Sequence, residues 1–158
     1  MRKALRFAVL FVALAAAALP WRSAGAQDSG AVVTLRGFFV AVAAKDYASA
    51  WSAFSANTKN LLAQSIAEEN KMTVDEVRKL LDSNDDRVQR GFWDSFRTAA
   101  KPEVFTQLAM SPAAAAGADG AVKMKTSGKE ITILMYKEAA KWKVGWMETF
   151  FPGKLRPN

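Results

Sequence analysis

Glu148 has the residue type and surroundings best suited to chemistry in this chain. Trp142, Val144, Trp146, Glu148 and Phe150 recur at every second position, the spacing of one strand face. A lone carboxylate among large apolar neighbours suits a general base or a ligand anchor. The competing reading is structural, with Glu148 at the sheet rim pairing with Arg36 or Arg97. Gly145 bears on both, because a bulge there would swap the facing of everything after it. Tyr47 and Trp51 come next, since each has a large apolar ring and a polar atom that seeks a partner when buried. Tyr47, Trp51, Trp146 and Glu148 are therefore the candidate ligand-binding set. Phe38, Phe39, Phe54, Phe92 and Trp93 read as plain core, the alternative being cavity lining.

Much other chemistry is excluded. The chain has no histidine and no cysteine. This removes Ser-His-Asp and Cys-His nucleophile systems, the imidazole base and the usual zinc ligand sets. Carboxylates, Tyr47, Tyr136, lysines and hydroxyls remain. No metal and no cofactor is expected, and no residue is assigned as catalytic. The alternative is a carboxylate-based isomerase or cyclase with Glu148 as base and a tyrosine as proton donor. Arg87, Arg90 and Arg97 flank Phe92-Trp93, and Lys123, Lys125, Lys141 and Lys143 alternate along the chain. They read as a solvated face, the alternative being attraction of an anionic ligand or membrane surface. Asp82, Asp85 and Asp86 around Asn84 lack the ligand spacing of a calcium loop and read as a polar helix junction.

The elements that position these residues fall into two halves. Leu35, Phe38, Phe39 and Val42 have helical spacing, as do Tyr47, Trp51 and Phe54. Asp46 is placed to cap the second of these helices. Residues 57–67 and 86–98 read as helices, and Thr73 with Glu76 has the spacing of a capping box opening another. From Lys101 the period changes to alternation, predicting strands over 104–110, 121–126, 131–137 and 141–151, with an alanine-rich loop over 111–117. Asp119-Gly120 and Ser127-Gly128 suit hairpin turns, whereas Glu138-Ala139-Ala140 lacks a good turn dipeptide. Helices first and strands last predict an α+β domain, N-terminal helices packed on a curved four-stranded antiparallel sheet.

Phe38-Phe39 followed by Lys45-Asp46-Tyr47-Ala48-Ser49-Ala50-Trp51 resembles the first helix, acidic turn and second helix of the nuclear-transport-factor-2-like (cystatin-like) α+β cone superfamily. Ile133-Leu134-Met135-Tyr136-Lys137 and Lys141-Trp142-Lys143-Val144 are similar to its final strands. The resemblance implies a cone that often encloses a pocket, and members that often dimerise through the sheet. It does not choose one activity, because the superfamily hosts enzymes and non-enzymes alike.

Residues 1–26 read as a signal peptide. Arg2, Lys3 and Arg6 precede an apolar run over 7–19, and Ala24-Gly25-Ala26 supplies small residues for cleavage. The expected mature chain, 27–158, is then one exported domain, periplasmic or secreted, with no membrane span left. Its net charge falls from +7 to +3, because the leader takes four bases and no acids. So mild a field gives no reason to expect nucleic acid. The expected function is non-enzymatic: binding of a small apolar ligand or a protein partner in the pocket, with homodimerisation through the sheet a further expectation.

Overall fold

The computed structural model describes residues 30–83, 86–126 and 128–155. The leader, its cleavage site and residues 84–85 of the acidic junction lie outside the described residues.

The helical half follows its local signals. Helix α1 (Gly30–Ala43) buries Leu35, Phe38, Phe39 and Val42. It stops at Lys45, which has a positive φ of 61°. The Asp46 carboxylate then accepts the Ser49 amide at 3.1 Å and caps α2 (Tyr47–Ala53), as its position in the sequence implies. Ser55 caps α3 (Ala56–Asn70) through its hydroxyl, 2.9 Å from the Thr58 amide. Thr73 and Glu76 form the expected capping box of α4 (Val74–Asp82), with hydrogen bonds of 2.9 and 3.3 Å. Helix α5 (Asp86–Ala100) carries Phe92 and Phe96 inward.

The strand half departs from expectation at both ends. Residues 104–110 do not form a strand. Instead α6 spans Pro102–Thr106, with Pro102 at the first helical position, where a missing N–H costs nothing. The first strand, β1, is Met110–Ala113, so residues 111–113 belong to the sheet and not to the alanine-rich loop. Strands β2 (Gly120–Thr126), β3 (Lys129–Glu138) and β4 (Lys141–Gly145) complete an antiparallel meander in the order β1-β2-β3-β4. Pro112, Val122 and Ile133 lie opposite one another across β1, β2 and β3, and Met135 lies opposite Val144. Val122, Met124, Ile133, Met135 and Val144 form a dry inner face, and α1 packs against β1, β2 and β4. The result is an α+β arrangement of helices on a four-stranded antiparallel sheet.

The β3–β4 hairpin forms without a turn dipeptide by holding Ala139 and Ala140 at φ values of 47° and 63°. Each alanine in that left-handed region costs about 1–2 kcal/mol. Changing Ala139-Ala140 to Asn-Gly is expected to stabilise the fold by roughly 1–2 kcal/mol, read as a rise of several degrees in thermal midpoint. An unchanged or lower midpoint would show that the turn is not strained.

The last strand is shorter than its alternation suggests. Pairing ends at Gly145, and α7 (Trp146–Phe150) turns away before a short 3-10 turn at Pro152–Leu155. Thr149 holds that turn: its hydroxyl accepts the Leu134 amide at 2.9 Å and donates to the Gly145 carbonyl at 2.6 Å. Val144 faces the helices, Trp142 is half-buried, and Lys141 stays exposed. Trp146 and Glu148 are helical residues, so neither lies on a strand face. Among the described residues no helix is long and apolar enough to cross a membrane.

Candidate functional site

A small apolar cavity of about 50 Å³ opens between the inner sheet face and the last helices. Met124 from β2 with Ile131 and Ile133 from β3 form its floor, and Phe39 of α1 forms one wall. Phe96, Ala99 and Ala100 of α5, Phe105 of α6, and Trp146, Phe150 and Phe151 around α7 enclose the rest. Phe39 stacks on Phe105 at 4.7 Å, while Trp146 contacts Phe96 at 4.8 Å and Phe150 at 4.5 Å. These rings set the shape of the cavity. Two arginines fix the helices that frame it. Arg36 donates to the Thr106 and Leu108 carbonyls at 2.6 and 3.3 Å, and Arg97 pairs with Glu103 at 3.0 Å. No lining residue carries an ionisable or nucleophilic group. The space suits one short apolar group and offers no acid or base.

Glu148 lies elsewhere. In a helix, residues 146 and 150 share a face and residue 148 points to the opposite side. Glu148 is 5% exposed. The Ser55 hydroxyl donates to Oε1 at 2.5 Å, and the Thr58 hydroxyl donates to Oε2. Ser55 Oγ accepts the Thr58 amide, and Thr58 Oγ1 accepts the Met147 amide at 3.1 Å. The carboxylate thus sits at the N-terminal end of α3, where the helix dipole favours negative charge. Neither arginine expected as its partner reaches it, since both serve α6 and the segment after it. Hydroxyls satisfy a buried carboxylate as directly as a guanidinium does, without a second buried charge.

Tyr47 and Trp51 form a separate group on α2. The Tyr47 hydroxyl donates to Asp94 Oδ1 at 3.1 Å, and its ring stacks on Trp93 at 5.6 Å. Burial, then the Asp94 carboxylate, raises the Tyr47 pKa above its ordinary value. The Trp51 indole donates to Asp82 Oδ1 at 2.8 Å, which gives that member of the acidic junction a defined task. Trp93 is enclosed between Tyr47 and Phe54, and its indole N–H has no partner among the described residues. Burial also raises the Tyr136 pKa, followed by the charges of Glu148 and Asp119.

Of the four residues singled out from sequence, Trp146 alone lines the cavity. Phe105, Ile131, Phe150 and Phe151 line it without having been expected to. A signal for the opening does exist. The stripe through Phe92 and Phe96 runs on into Ala99-Ala100, where side-chain bulk gives way to space. Comparison of the chain with known protein families, characterised proteins and solved structures gives no match.

Proposed function

We propose that this chain is an exported, non-enzymatic domain of the nuclear-transport-factor-2-like type that binds a small apolar ligand in the Trp146 cavity. The observation that carries this reading is an aromatic-rich cavity beside the sheet with no group in its wall able to move a proton or attack a substrate. The carboxylate-based isomerase or cyclase alternative requires an acid and a base converging on one pocket. Glu148, the strongest candidate base, faces away from the cavity with both oxygens taken by Ser55 and Thr58. The helix-then-meander order and the inward Phe38-Phe39 pair support the family assignment. The leader pattern supports export and implies a mature chain beginning at Gln27. N-terminal sequencing of the product checks that, and a retained Met1 on membrane-bound protein would overturn it.

A short bromoalkanol is a suitable probe, because bromine quenches tryptophan emission on contact. Wild-type protein is expected to show saturable quenching that Trp146→Phe reduces. Ala100→Phe fills the opening without removing anything from the core. It is expected to weaken binding by at least about tenfold, roughly 1.4 kcal/mol, with little change in thermal midpoint. Equal saturable quenching in wild type and Ala100→Phe would sink the assignment of the cavity as the ligand site.

A further inference from the structure

We infer that the ligand of the Trp146 cavity is a short- or medium-chain carboxylate, its alkyl tail inside and its anionic head at Lys101 and Lys129; this rests on the cavity being the ligand site. The inner face of β3 shows where the mouth lies. Met135 and Ile133 on that face are 0% and 1% exposed, Ile131 is half-buried, and Lys129 is exposed. Residues two apart on a strand share a face, so burial falls away along one row of neighbours toward the β2–β3 turn. The helical wall repeats the pattern. Ala99 and Ala100 are half-buried lining residues, and the next residue, Lys101, is exposed. A lysine therefore follows the lining on each side of the opening.

Neither lysine takes part in an ion pair among the described residues. The carboxylates on the neighbouring segments are committed elsewhere. Glu130 alternates to the outer face of β3 and pairs with Lys123 at 2.9 Å, and Glu103 of α6 pairs with Arg97 at 3.0 Å. Glu148 of α7 accepts the Ser55 and Thr58 hydroxyls on the far side of its helix. The C-terminus of α5 and the N-terminus of α6 meet at Lys101, so their opposite dipole ends offset each other and the two ammonium groups set the sign. Lys123 and Lys125, by contrast, lie on the outer face of the sheet, away from the cavity.

Apart from the Trp146 indole, no lining side chain is polar, so an anion can enter only tail first. Size limits the tail. The cavity holds about 50 Å³, and Ile133 on its floor lies four residues from Lys129, roughly 13 Å along the strand. That admits a short or medium alkyl chain and excludes a sterol or a long lipid. An ion pair at a wet rim is weak, so the head selects the ligand while burial of the tail supplies most of the affinity.

Hexanoate, hexanol and hexylammonium are the probes, each competing at neutral pH with the bromoalkanol that quenches Trp146 in the full-length mature protein. Hexanoate is expected to displace the quencher at roughly fivefold lower concentration than hexanol, with hexylammonium the weakest of the three. The preference should shrink as salt is raised. Lys101→Gln with Lys129→Gln should bring hexanoate level with hexanol or behind it, leaving hexanol itself unchanged, whereas Lys101→Arg with Lys129→Arg should keep the preference. Equal competition by hexanoate and hexanol in wild type, or a preference that survives the double glutamine change, would overturn the carboxylate assignment and leave the cavity as a site for neutral apolar ligands. Failure of all three to displace the quencher, or displacement undiminished in Ala100→Phe, would overturn the cavity reading and the carboxylate with it.

Discussion

Glu148→Ala is expected to destabilise the protein by about 3 kcal/mol, lowering the thermal midpoint by roughly 10 °C, while leaving alkanol binding in the Trp146 cavity nearly intact. The size follows from what the carboxylate joins. Ser55 and Thr58 lie 93 and 90 residues before it, so one side chain ties the start of α3 to the last helix. Removing it strands two buried hydroxyls and withdraws a negative charge from a helix N-terminus. Glu148→Gln keeps the shape but presents an N–H₂ group to one hydroxyl that was donating, so a smaller loss of about 1–2 kcal/mol is expected. Ser55→Ala combined with Glu148→Ala should cost less than the two single changes together, because each removes the other's partner. Chemical denaturation of the four proteins measures this coupling. An unchanged midpoint with lost ligand binding would reverse the assignment and return Glu148 to the binding machinery.

What the sequence revealed about this region depended on distance along the chain. The Asp46 cap, the Thr73–Glu76 box and the inward residues of α1 involve partners within a few positions, so residue type and spacing identified them. Pro102 followed by Glu103 is also a local helix-start signal, yet alternation across 104–110 masks it. At the C-terminus, Trp146, Met147 and Phe150 fit a helical stripe as well as Trp146, Glu148 and Phe150 fit a strand face, and five residues are too few to separate the periods. Tertiary contact decides: the Thr149 hydroxyl takes the Leu134 amide and ends the ladder. The hydroxyl partners of Glu148 had no local signature at all. Serine and threonine near a helix start read as caps, and Ser55 is one, with its hydrogen still free to donate.

The second large effect is expected at Gly145. A Cβ there would lie 2.4 Å from Tyr136 Cε2 and 3.1 Å from the Leu134 carbonyl oxygen. The glycine φ is −86°, so close approach rather than backbone conformation requires it. Gly145→Ala must displace the Tyr136 ring or part β4 from β3, at about 2–3 kcal/mol. The denaturation midpoint should fall accordingly. Tyr136→Ala is expected to cost less in the Gly145→Ala background than in wild type, because the alanine methyl then occupies space the ring has left. Strictly additive losses would show that the ring is not the obstacle.

The turn at Gly145 also bears on how copies of this protein meet one another at high concentration. A sheet in simple meander order presents backbone groups along its flanks, and such rows are ready templates for a neighbouring chain. Here each flank is blunted by a different device. Pro112 gives β1 no amide at its centre, and the Ser55 amide occupies the Val144 carbonyl at 3.0 Å along β4. Where β4 stops, Thr149 takes the Leu134 amide that a further strand would seek. The same hydroxyl that turns the chain into its last helix therefore leaves that flank without the Leu134 amide as a free donor for a neighbouring strand.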